Sequence, residues 1–160
     1  MLAKYIENKK QLMAALLTRD TFDGFELVSG SVTTYAVFSV DGQWHKSFYQ
    51  DDPDQAEEEF DFSPWERIRP FFLSVIRGKN TPLAFQFTFR LPAAETEEFM
   101  RDEAVPEDPA GTPGLLLNLA FDGTSLLLTT GISRRTFSMD RTLERAWDRY
   151  VEQRFSDYLE

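Results

Sequence analysis

With 160 residues, no cysteine, a single histidine and a formal net charge of −10, the chain can form no disulfide, no thiolate metal site and no zinc site with two or more histidines. Apolar residues make up 42% and include 15 phenylalanines, too much for a disordered chain, and the length suits one domain. The acid is concentrated in segments expected to connect elements, at about 50–62 and 95–112, which argues against a nucleic-acid partner because phosphate binding needs a concentrated basic face.

The first element is a helix over Glu7–Leu17, with Leu12, Ala15 and Leu16 at helical spacing and an exit through Asp20–Gly24. The apolar run Leu12–Leu17 is shorter than the core of a signal peptide, and no stretch approaches the roughly 18 apolar residues of a spanning helix. The expectation is a cytoplasmic protein with no membrane anchor.

Phe25–Val40 is β-branched and aromatic and runs into Asp41-Gly42, a strong hairpin signal. A two-residue loop there sets Val37 opposite Lys46, Phe38 opposite His45 and Thr34 opposite Tyr49. Val32, Phe38, Val40, His45 and Tyr49 would then form an apolar face rimmed by acid.

Ser63-Pro64-Trp65-Glu66 matches a capping box, with proline at the first helical position. At the far end Arg77 suits the helix dipole, Gly78 a left-handed turn and Pro82 a stop. Pro70 predicts a break near Arg69, because an interior proline removes a hydrogen bond. A helix N-terminus opened there, flanked by Arg67, Arg69, Arg77 and Lys79, is a candidate anion site; the plainer reading is a structural kink.

Leu83, Phe85, Phe87, Phe89 and Leu91 alternate with polar or small residues, which predicts a strand with one buried face in an antiparallel sheet. A short helix follows around Thr96–Met100. Gly114–Gly131 reads as a second hairpin with Asp122-Gly123 at its tip and partner numbers totalling 245, so that Leu115, Leu117, Leu119, Phe121, Leu126 and Leu128 share a face. The last helix starts near Ser138 or Asp140 and buries Leu143, Ala146, Trp147, Tyr150, Val151, Phe155 and Tyr158. The order predicts an α+β fold: a mainly antiparallel sheet of two hairpins and a central strand, packed by N-terminal, central and C-terminal helices.

Nothing here carries a nucleotide-binding loop, a nucleophile elbow or a metalloprotease motif. The acidic run Asp51–Asp61 is interrupted by Pro53 and lacks the glycine of a calcium loop. His45 has no matched nucleophile. The serines, threonines and arginines of Thr129–Ser138 suit strand ends and turns better than a phosphate site. No catalytic residue, metal or cofactor is expected.

The segments Thr33–Gly42, Ser63–Phe89, Thr129–Asp140 and Leu143–Asp148 together resemble an uncharacterised family of small bacterial proteins, a domain of unknown function. The shared features are a Trp-to-Arg-Pro helix, a Gly-Lys turn into a strand and a closing Trp-Asp helix. The resemblance implies a single cytoplasmic α+β domain with no known activity, and Phe25–Val40 as one long strand bent at Gly30.

The leading expectation is a non-catalytic domain that binds a protein partner or a second copy through Phe38, Val40, His45 and Tyr49. The alternative is a binder of, or enzyme for, an anionic metabolite, with an aromatic pocket and an anchor among Arg67, Arg69, Arg77 and Lys79. A weaker third reading puts nucleic acid on Arg134, Arg135, Arg141 and Arg145.

Overall fold

The computed structural model describes residues 1–54, 60–105, 114–134 and 139–160. Its elements run β1 (Ala3–Tyr5), α1 (Lys9–Leu17), β2 (Glu26–Thr33), β3 (Val37–Asp41), a 3-10 turn (Lys46–Tyr49), β4 (Ser63–Pro64), α2 (Trp65–Ile76), β5 (Ala84–Arg90), α3 (Ala93–Asp102), β6 (Gly114–Phe121), β7 (Leu126–Ser133), α4 (Thr142–Arg154) and a closing 3-10 turn (Ser156–Tyr158). The strands form one antiparallel sheet in the order β1-β7-β6-β5-β2-β3, with β4 also on β2. The class is α+β, and the central strand β5 stands between two hairpins as its alternation predicts.

Period-2 alternation in β5 buries Phe85, Phe87 and Phe89 on one face. Their cross-strand partners are Phe121, Leu119 and Leu117 on β6 and Val32, Gly30 and Leu27 on β2. A bulge between Leu27 and Ser29 keeps Leu27 and Gly30 on this same face. Helices α1, α2 and α4 cover it. Trp65 of α2 lies against Phe72, Phe87 and Phe89, and its Nε1 donates to the Leu16 carbonyl of α1 at 2.9 Å. Phe22 stacks on Phe155 beyond α4, and α3 rests on α4 where Phe99 meets Trp147 and Tyr150. The opposite face is polar: Thr88 Oγ1 donates to Asn118 Oδ1 at 2.8 Å, and Ser29 and Gln86 are exposed. No helix among the described residues is long and apolar enough to cross a membrane.

The first hairpin turns at a different place from the one predicted. Thr33 pairs with Val37 and Ser29 with Asp41, so the chain reverses at Thr34–Ala36, where Thr34 N–H donates to the Ala36 carbonyl at 2.9 Å. Phe25–Val40 is therefore two strands, not one bent at Gly30, and Phe38 faces Val32 rather than His45. Asp41-Gly42 is a crossing point instead of a hairpin loop. Gly42 N–H donates to Val28 O at 2.9 Å, and Gly42 O accepts from Ser63 N–H at 2.6 Å. A Cβ at position 42 would stand 1.7 Å from Leu27 O. Glycine is needed there for close approach.

The second hairpin has the predicted faces but a longer loop. Phe121 pairs with Leu126, two residues beyond the expected register, so every side chain keeps its side. Asp122 closes the four-residue loop by accepting N–H bonds from Thr124 at 2.9 Å and Ser125 at 2.7 Å on Oδ1, while Gly123 takes φ +98°.

Helix α2 also departs from expectation. It runs unbroken from Trp65 to Ile76 with Pro70 inside. Pro70 is on the exposed side, and the buried Trp65 and Phe72 hold the helix on both sides of it. No capping box forms, because Ser63 and Pro64 pair with Leu27 and Glu26 as β4. Gly78 takes the expected positive φ, +132°. The acidic segment expected at 95–112 is partly helical, since α3 runs from Ala93 to Asp102; 106–113 lie outside the described residues. The final helix starts at Thr142, whose N–H donates to Asp140 Oδ1 at 2.9 Å, and Ser138 lies outside the described residues.

Candidate functional site

Where the start of β2 passes beneath the β3–α2 connection, the surface opens into a cleft of about 1210 Å³. Its construction follows from the crossing at Gly42. With Ser63 bonded to Gly42 O and Trp44 N–H donating to Asp61 O at 3.3 Å, the two ends of the connection run side by side. Gln43 pairs with Phe62. The opposite wall is the turn from β5 into α3, Pro92–Glu95.

One side of the cleft is aromatic. Trp44 stacks on Tyr49 with ring centres 5.4 Å apart and meets Phe60 edge-on at 5.2 Å. The Arg67 guanidinium lies 5.2 Å from the Trp44 ring centre and 5.9 Å from that of Tyr49, and its Nη1 donates to Tyr49 Oη at 3.4 Å. Such cation–π contacts fix a guanidinium over the rings. The Trp44 Nε1 donor is buried and has no hydrogen-bond partner among the described residues.

The other side is acidic, with Asp23, Glu26, Asp61, Glu66 and Glu95 against Lys46 and Arg67. Two of the acids are engaged. Asp23 takes both Arg69 donors, at 3.1 and 2.7 Å, and Asp61 accepts from Arg90 Nη1 at 3.1 Å. Glu66 and Glu95 form no ion pair among the described residues.

Glu26 is the unusual one. Its residue is 4% exposed, Oε2 has no hydrogen bond among the described residues, and its cation neighbour Arg90 stands at 3.7 Å. Burial pushes the carboxyl up to about 7; Arg90 opposes the rise, and Asp61 and Glu95 add to it. Glu26 therefore changes charge near neutral pH. The described lining holds no hydroxyl, thiol or imidazole side chain; its other ionisable groups are carboxylates, Lys46 and Arg67. Among the described residues no three of His, Asp and Glu come close enough to hold a metal ion.

The predicted candidates are dispersed. Arg67 lines the cleft, and Tyr49 meets it against the Trp44 ring. Phe38 and Val40 are half-buried on the edge strand β3, with Phe38 against Tyr35 at 5.6 Å. His45 is exposed and leads into the 3-10 turn, its carbonyl accepting from Phe48 N–H at 3.1 Å. The four cations near Pro70 do not converge: Arg69 is held by Asp23, and Arg77 and Lys79 follow the far end of α2, about 15 Å along the axis from Arg67. Of the weaker cluster, Arg135 lies outside the described residues. Sequence reasoning missed Glu26, Trp44, Phe60 and Asp61 as site residues. The available signal was Glu26 itself, a lone carboxylate between Phe25 and Leu27 in a strand-forming run.

A family model matches residues 15–159, nearly the whole chain. The chain belongs to the family of unknown function DUF5721. The DUF5721 match covers every element that builds the cleft, from Asp23 to Glu95. No curated protein and no solved structure matches the chain.

Proposed function

We propose that the protein is a non-catalytic binding domain whose cleft receives a basic, extended segment of a partner protein. The observation that carries this reading is Glu26: a carboxyl at the cleft floor with one oxygen lacking any hydrogen bond. A buried acceptor left without a donor is costly, and an incoming N–H or cation removes the cost.

Three further features support the same occupant. Glu66 and Glu95, without an ion pair among the described residues, supply long-range attraction for positive charge. The buried Trp44 Nε1 lacks an acceptor among the described residues, which a peptide carbonyl can supply. An extended peptide presents both N–H donors and C=O acceptors, matching the two orphan groups.

Titration with a hexa-arginine peptide tests the reading. Trp65 and Trp147 are fully buried, so Trp44 should carry the emission change, and Trp44→Phe should abolish it. No saturable change in the wild-type emission would reject the cleft as the binding site.

A further inference from the structure

A second groove, independent of the cleft, lies between the start of α1 and the α2–β5 turn. It has a volume of about 440 Å³ and is lined by Lys9, Lys10 and Lys79. The chain has five lysines and 27 acidic residues, yet three of those lysines meet here and the lining contains no Asp or Glu. Such an arrangement in an acidic protein concentrates positive potential in one place.

The lysines are not consumed by internal partners. Lys9 Nζ donates to the Thr124 carbonyl at 2.6 Å, a neutral acceptor that leaves its charge unbalanced. Lys10 and Lys79 make no hydrogen bond or ion pair among the described residues. Asp122, which feels the Lys9 charge, has its Oδ1 turned to the N–H groups of its own loop.

The floor is apolar. Met13, Ile76 and Phe121 are half-buried above the buried Phe85 and Leu126. Asn80 and Thr81 add neutral polar groups at the rim, on the turn that Gly78 allows by its positive φ.

The geometry points to a binding site for a small amphipathic anion, a carboxylate or phosphate carried on an apolar body. Pockets for small molecules combine an apolar lining with a few placed polar groups and span roughly 300–1,000 Å³. A bare inorganic anion would leave the floor wet, and an uncharged hydrophobe would leave the ammonium groups unused. Lys79, one of the cations marked out by sequence, belongs to this groove; its anion partner is thus placed away from Pro70.

Octanoate is the probe, followed by calorimetry and by the Met13 methyl resonance, with octanol and inorganic phosphate in parallel. Octanoate should saturate one site and shift Met13 but not the buried Met100. Octanol and phosphate should each bind on the order of tenfold more weakly. Lys10→Gln and Lys79→Gln, both at exposed positions, should each weaken octanoate on the order of fivefold without moving the thermal midpoint of the free protein. Equal binding of octanol or phosphate, an unmoved Met13 methyl, or unchanged octanoate affinity in the Lys10→Gln/Lys79→Gln double variant would overturn the assignment. Glu66 and Glu95 variants, which disable the cleft, should leave octanoate binding unchanged.

Discussion

Arg69 holds Asp23 through two parallel hydrogen bonds, Nε to Oδ1 at 3.1 Å and Nη2 to Oδ2 at 2.7 Å, and so ties α2 to the segment that leads into β2. With side chains 21% and 15% exposed, the pair is largely withdrawn from water. Bidentate pairing of this kind is geometrically specific. It engages Arg69, the cation beside the interior proline, within the fold.

Removing one member leaves the other charge poorly solvated. Arg69→Ala is expected to lower stability by about 2 kcal/mol, read as a lower urea midpoint at an unchanged slope. Asp23→Asn should cost a similar amount. An Arg69→Ala protein with wild-type stability would show that the pair contributes nothing.

Glu26 predicts a pH dependence whose sign can be worked out. Its folded value of about 7 lies above the ordinary 4.5, so between these values the native state holds a proton that the unfolded chain has released. Stability therefore falls as pH rises through that window, by on the order of 3 kcal/mol at most. Glu26→Gln keeps the shape and removes the charge. It should flatten the slope between pH 4.5 and 7 and raise the thermal midpoint at pH 8. A variant with the wild-type slope would assign the effect to another group.

At Gly42 the backbone of Leu27 is too close for any side chain, with a Cβ falling 1.7 Å from a carbonyl oxygen that cannot swing away. Gly42→Ala should lose more than about 3 kcal/mol, because the clash is with backbone and forces the β3–α2 connection off β2. Gly24→Ala, where nothing lies within 4 Å, is the control and should fold normally by circular dichroism and retain its thermal midpoint.

What the sequence made legible follows from how local each signal is. Alternation in β5 and in the second hairpin reports burial residue by residue, so those faces were readable even with the register two residues off. Asp41-Gly42 was misread because glycine answers two demands, a tight turn and close passage of another backbone. Only Val28 and Ser63, distant in sequence, decide between them. Strands β1 and β4, three and two residues long, are too short to carry a period.

The cleft was almost illegible for a related reason. Its lining comes from the segment before β2 and the first residue of β2, the connection on both sides of 55–59, β4 with the first turn of α2, and the start of α3. Each contributes a few side chains, and none of these segments carries a motif that points to a ligand. Arg67 was found by its charge and Tyr49 by its place in a hairpin that does not form; their meeting over Trp44 depends on the fold.

The central claim is that the cleft takes a basic segment, and calorimetry with a hexa-arginine peptide on the charge-reversed Glu66→Lys/Glu95→Lys protein tests it most directly. Both positions are exposed and free of ion pairs among the described residues, so the fold should survive, and Glu7→Lys/Asp157→Lys, two exposed positions on another part of the molecule, makes the same change in net charge. The account predicts at least about tenfold weaker binding in the Glu66→Lys/Glu95→Lys protein, with Glu7→Lys/Asp157→Lys close to wild type. Equal weakening in Glu7→Lys/Asp157→Lys, or none in Glu66→Lys/Glu95→Lys, would mean that the peptide senses only the overall acidity of the chain and that the cleft is not its site.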